Sequence, residues 1–272
     1  GTVVYNMGSW PGPWGIELRV DHLNAFVLLV VAGVGAVATL YARHSVSDEV
    51  PGDRLHLFYC MWLLAIAGLL GITITGDAFN VYVLLEISSL TSYALIAMGK
   101  GRDRRALLAS LKYLILGTIG ASFILLGIGY LLMLTGTLNM ADMAERIQPL
   151  QDSRVVQAGF AFILVGLGLK AAMFPLHQWL PSAYAYAPSF VTVFLSATAT
   201  KAAFYALVRF VFSVFDPSVD FVAASLIWVL APLACLAILF CSFQAAFQLD
   251  VRRILAYSSV AQVGYMLLGI AT

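Results

Sequence analysis

The chain has 272 residues, of which 61% are hydrophobic and 11% charged, with a net charge of +1. Soluble domains carry about a quarter charged residues, so water cannot solvate this much apolar surface and a bilayer must. The near-neutral charge gives no pull toward nucleic acid, and none is expected as a partner.

A bilayer core needs about 20 apolar residues per helix. By that measure eight spans are expected in chain order, at 22–42, 55–75, 79–99, 106–134, 155–175, 189–212, 219–243 and 254–272. These long runs lack the period-two alternation of an outer-membrane barrel. The expected fold class is therefore all-α, a polytopic transmembrane helical bundle, with residues 1–54 forming an N-terminal loop and the first span. The chain starts at Gly1 without a signal-peptide pattern and ends at Thr272 on an apolar run, as expected of the middle of a longer protein. The cysteines Cys60, Cys235 and Cys241 sit in apolar stretches with neither metal-ligand spacing nor a disulfide framework. They read as small buried hydrophobes.

The connections are short. Ser47–Asp53 is a polar turn, and Gly99-Lys100-Gly101-Arg102 ends the third span. The longest loop, 135–154, contains a stretch expected as a short surface helix with Asn139 as its N-cap. Basic residues set the orientation. Arg43, Arg54, Lys100, Arg102, Arg104, Arg105, Arg252 and Arg253 lie on one side. Arg19, Arg146, Arg154 and Arg209 lie on the other. The first side is expected in the cytoplasm and Gly1 outside, in a bacterial inner membrane.

Every Arg lies in a loop or at a span end, whereas Lys112, Lys170 and Lys201 lie inside spans, together with Glu86. A charge at the bilayer centre costs about 2.5 to over 10 kcal/mol, so these residues ask for a reason. Arg stays charged under any reachable condition, but a desolvated Lys gives up its proton readily. Buried Lys therefore suits a proton relay. Glu86 and Lys201 fall near mid-membrane, with Lys170 and Lys112 nearer the basic side. The plainer readings are a snorkelling Lys112 and a static Glu86–Lys170 bridge.

The fifth span carries Gly166, Gly168, Lys170, Pro175 and His177 within one short run. Pro175 removes a backbone hydrogen bond and clashes with the preceding turn, so a broken helix is expected there. Broken helices at membrane depth line cavities. His177 titrates near neutrality, though a lone interfacial His is more often structural. The uncharged stretch 178–188 reads as re-entrant or interfacial, with Pro188 opening the sixth span. Ser196, Thr198 and Thr200 put hydroxyls beside Lys201, either to hold water or, more commonly, to bond back to the helix.

The runs GDAFNVYVLLEISSLTSYALI, GLGLKAAMFPLHQWLPSAYAYAP, SATATKAAFYALVRF and QLDVRRILAYSSVAQVGYM resemble the antiporter-like subunits of respiratory complex I and of the Mrp cation/proton antiporters. TSYALI and YLLMLTGTLNMADMA are most similar to the D-type subunits of the Mrp antiporters, and membrane-bound hydrogenases carry similar subunits. The resemblance implies two inverted five-helix repeats, with the first complete at 55–212 and the second only begun at 213–272. It also implies proton-transfer roles for Glu86, Lys170, Lys201 and His177, with a less defined one for Lys112. Protons would enter from the basic side near Lys170 and His177 and pass to Lys201. The implied partners are other membrane subunits, the lipid bilayer, H+ and, as a second ion, Na+. No cofactor, metal or catalytic centre is expected in the chain, which has no quinone, flavin, iron–sulfur or nucleotide motif. Two rivals stay open: a small-anion transporter of similar fold logic, and a non-conducting scaffold subunit.

Overall fold

The computed structural model describes residues 1–101 and 103–272, and for Lys100 the backbone alone. Arg102 and the Lys100 side chain, both counted above on the basic side, lie outside the described residues. The first residues form a small hairpin rather than the expected loop. Its strands β1 (Val3–Asn6) and β2 (Glu17–Val20) pair antiparallel with Val3 opposite Val20. Among the described residues the regular elements after it are helices: α1 (His22–Glu49), α2 (Leu55–Ile74), α3 (Ala78–Ala97), α4 (Arg105–Thr135), α5 (Met140–Ile147), α6 (Arg154–Lys170), α7 (Leu180–Tyr186), α8 (Ser189–Arg209), α9 (Asp220–Ser225), α10 (Ala231–Ala246) and α11 (Val251–Ala271). The fold is thus a nearly all-α polytopic membrane bundle.

Seven helical segments among the described residues are long and apolar enough to cross a membrane, with α9 and α10 joined through a π-helical stretch into one of them. The one expected span that is not among them, the fifth, at 155–175, is α6. It stops after 17 residues and is continued by a turn, a short 3-10 stretch and α7. Local chemistry explains the helix starts. Asp21, Asp77, Asn139, Ser153 and Asp250 each accept backbone N–H bonds as N-caps of α1, α3, α5, α6 and α11. These bonds satisfy donors that a helix start leaves orphaned.

Packing inside a membrane relies on close approach, since lipid is as apolar as the core. The α4–α6 contact depends on this. A Cβ on Gly166 would come 2.6 Å from the Gly120 carbonyl oxygen, and one on Gly127 would come 2.8 Å from that of Gly159. The α2–α8 seam is aromatic, with Phe58 on Phe190 at 5.6 Å and Trp62 on Phe194 at 6.2 Å between ring centres. Outward faces stay apolar, as at Leu40, Met133 and Trp228. Cys60 and Cys235 lie on such faces and are exposed, and only Cys241 is buried. The expectation that all three are buried is therefore corrected. An apolar neighbourhood in sequence marks the membrane, not which side of a helix faces its neighbours.

The two ends of the bundle differ. At the basic end, the Arg105 and Arg253 guanidinium groups stand 4.7 and 5.6 Å from the Tyr186 ring centre. Arg252 donates to the Ala187 carbonyl at 3.2 Å and to Ser189 Oγ at 2.8 Å. The Ser189 backbone N–H and hydroxyl both engage Glu49. Four inter-span connections therefore meet there, as the charge count expected. At the other end, the hairpin is stitched to the α2–α3 turn by a bridge between Leu18 and Thr75, and Asp77 bridges to Asn139.

Candidate proton-transfer site at the break in α6

The break begins earlier than Pro175. Lys170 is the last helical residue. The Ala172 N–H donates to the Leu169 carbonyl at 3.2 Å and the Met173 N–H to the Gly168 carbonyl at 2.7 Å. This paired pattern closes a helix around a left-handed residue, usually Gly. Here that residue is Ala172, at φ +59°. Left-handed backbone costs an L-residue roughly 1–2 kcal/mol, a strain that tertiary packing must hold. The chain then turns through Pro175 into a 3-10 stretch, Leu176–Trp179, and α7. Trp179 pins the turn, since its indole N–H donates to the Leu169 carbonyl at 3.0 Å and its ring stacks on Tyr113 at 4.0 Å.

Lys170 therefore projects from the end of α6, where the helix dipole favours a cation. Its Nζ donates to Glu86 Oε1 at 2.7 Å and to Ser89 Oγ at 2.8 Å. Glu86 and Ser89 lie three residues apart on one face of α3. The Lys170 side chain is 3% exposed and that of Glu86 20%, so one partner is sealed and the other keeps a path to the surface. A cavity of about 10 Å³ adjoins Lys170, lined by Ser88, Ser92, Tyr113, Ala199 and Ala203 among others. That is close to the room one water needs.

The other sequence candidates are placed differently. Lys201 is half-buried on α8, and its Nζ donates to the Ser196 carbonyl at 2.6 Å. No carboxylate pairs with it among the described residues. Ala199 and Ala203 face the Lys170 cavity, and Lys201, two residues from each, is turned about 160° away at 100° per residue. The direct step from Lys170 to Lys201 expected from sequence thus has α8 in its way. Ser196 and Thr198 bond back to Val193 and Phe194 carbonyls, while the Thr200 hydroxyl is buried without a partner among the described residues. His177 is buried and turns toward α10 and α11. Its Nε2 lies 3.9 Å from Cys241 Sγ, and its ring meets Tyr257 edge-on at 6.4 Å. Lys112 is exposed on the outer face of α4 and joins none of these.

Sequence reasoning missed Ser89, although its spacing from Glu86 was a usable signal. It also missed the group at the hairpin end. There Asp21 accepts from Arg209 Nη2 at 2.5 Å and caps α1. Burial pushes the Asp21 carboxyl up, but the Arg209 hydrogen bond and charge, with the Asn24 and Leu23 N–H groups, hold it below its usual value.

The family model described as NADH:quinone oxidoreductase/Mrp antiporter, transmembrane, matches residues 75–272. The N-type subunit of an NADH-quinone oxidoreductase from Desulforudis audaxviator is 49% identical over 267 residues, covering 98% of this chain and 52% of that protein. The D-type subunit of a Na(+)/H(+) antiporter from Alkalihalophilus pseudofirmus is 32% identical over 270 residues, covering 99% of this chain and 53% of that one. Among solved structures, a chain of the membrane-bound sulfane sulfur reductase, an archaeal respiratory membrane complex, superposes with a TM-score of 0.90 at 38% identity. That match covers 98% of this chain and 53% of the other. The chain thus spans about half the length of the relatives it matches.

Proposed function

Because this chain belongs to the NADH:quinone oxidoreductase/Mrp antiporter transmembrane family, we propose that it forms the proton-accepting part of an antiporter-like subunit within a multisubunit membrane complex. The observation that carries the reading is Lys170. It is a sealed lysine at a helix break, held at once by Glu86 and Ser89. A lysine buried only to brace the fold would not need a strained turn and a water-sized cavity beside it.

In this reading Glu86 keeps Lys170 charged while the two are in contact. Separation leaves desolvation acting alone and releases the proton. The basic end faces the cytoplasm by the excess of Lys and Arg, in a bacterial inner membrane, and protons enter from there. Residues 55–212 form one repeat of the subunit and residues 213–272 begin a second. His177, turned toward α10 and α11, is one contact between them. H+ is the transported ion, with Na+ as the counter-ion where the parent complex is an antiporter. The greater identity to the NADH-quinone oxidoreductase relative, 49% against 32% for the antiporter one, favours a redox-driven parent complex as the second reading.

The test uses the complete complex reconstituted in liposomes. Lys170→Met and Lys201→Met, singly and together, are expected to abolish proton transport while the complex still assembles. Transport at the unaltered rate in the double variant would leave a non-conducting scaffold as the role of this segment.

A further inference from the structure

The polar residues of α8 do not stop at Lys201. Tyr205 and Arg209 follow at four-residue steps, each turned about 40° from the last, so the three form one stripe along the helix. The stripe runs toward the hairpin end and places Arg209 about 12 Å beyond Lys201 along the axis. It lies on the side of α8 away from the Lys170 cavity. Tyr205 is buried. Its hydroxyl donates to the Thr73 carbonyl at 3.0 Å and accepts from Arg209 Nε at 2.7 Å. Arg209 in turn pairs with Asp21. Asp21, Tyr205 and Arg209, though not Lys201, line a cavity of about 290 Å³ whose wall also carries Glu17, Arg19 and Asn24. At about 30 Å³ per water, that volume holds several. Arg19 is exposed, so the cavity has a wet rim.

We propose that this cavity is an outward proton outlet for Lys201, closed in this conformation by Tyr205 and the Asp21–Arg209 pair. The proposal rests on the reading that Lys201 titrates. When the gate opens, Arg209 releases the Tyr205 hydroxyl, which swings off Thr73, and the Lys201 ammonium leaves the Ser196 carbonyl to turn toward it. The Lys201 ammonium then gives one proton to chamber water and becomes an amine, and it regains one proton from the basic end, toward which its Nζ points at the Ser196 carbonyl in this conformation. Tyr205 and Arg209 keep their protonation states throughout. One proton crosses per cycle, and no other reactant is needed. The segment would then hold access routes to both sides of the membrane, on opposite faces of α8. The ordinary alternative is a static brace tying α1, α2 and α8 together.

The experiment is side-specific cysteine labelling in the complete complex, with Cys60, Cys235 and Cys241 replaced by Ala. A membrane-impermeant cationic methanethiosulfonate is applied from the hairpin side. Ser213→Cys, on the chamber wall, reports assembly and must react. Lys201→Cys is expected to react from that side, about tenfold faster when Arg209→Gln removes the charge-assisted bond that holds Tyr205. Ala199→Cys, on the opposite face of α8, is expected not to react. Labelling of Lys201→Cys from the basic side alone, or equal labelling of positions 199 and 201, would overturn the outlet. Labelling does not depend on transport. An unlabelled but transport-essential Lys201 sinks only the outlet, and a labelled but dispensable Lys201 sinks only the functional reading beneath it.

Discussion

At the residue scale, the site depends on how Lys170 divides its hydrogen bonds. One goes to a carboxylate that retains some exposure and one to a sealed hydroxyl. Bonds to charged groups are worth about 1.5–3 kcal/mol, so Ser89 is far from a bystander. Ser89→Ala is expected to leave the complex assembled and to slow transport by about tenfold, read as the initial rate of pH change in proteoliposomes; an unchanged rate would make Ser89 mere packing. Asp21 gives a second prediction, on stability. Its pKa is depressed by Arg209 and by its capping bonds against the opposing effect of burial. A depressed carboxylate contributes stability that is fully present above its unfolded value of about 3.9 and lost as pH falls through the folded one. The detergent-solubilised complex should therefore show no loss from this pair between about pH 5 and pH 8. A drop in melting temperature should appear only at more acid pH, and Asp21→Asn, which keeps the cap, should diminish it. A loss near neutral pH that vanishes in Asp21→Asn would contradict the sign of this shift.

At the element scale, α6 shows where sequence reading succeeds and where it stops. Pro175 rightly announces a break, because proline cannot sit inside a helix without cost. The break nevertheless starts at Ala171, with the left-handed turn made by an alanine. The usual glycine signal for such a turn is missing, so its position was hidden. Ala172→Gly should relieve the strain and raise the melting temperature, by roughly 1 kcal/mol of stability. Ala172→Val should lower it, since a β-branched residue tolerates positive φ worst. No difference between the two would show that the turn is unstrained. The helices themselves were legible, because long apolar runs have only one solution in a bilayer, and so was the Asn139 N-cap of α5. Which face of each helix points inward was not. Hydropathy is uniform around a lipid-facing helix, which is why Cys60 and Cys235 were misplaced and why Lys201 could not be put across α8 from Lys170.

At the scale of the whole molecule, the polar groups fall into three places. Arginines gather four connections at the basic end, the Lys170–Glu86 pair occupies the interior, and a charged chamber sits under the hairpin. The sequence pointed to the first two through charge counting and through the rarity of buried lysine. The third is assembled from residues far apart in the chain, Asp21 and Arg209 above all, and no local pattern announces it. The central claim is that the Lys170–Glu86 contact is a switch that moves a proton rather than a bridge that holds helices. The most direct test is the charge swap Glu86→Lys with Lys170→Glu, made in the complete complex and assayed for both assembly and proton transport. The 2.7 Å contact allows the swapped pair to form, so assembly lost in either single variant should return. With the carboxylate at the break and the lysine on α3, transport should stay absent. Recovery of transport together with assembly would contradict the account.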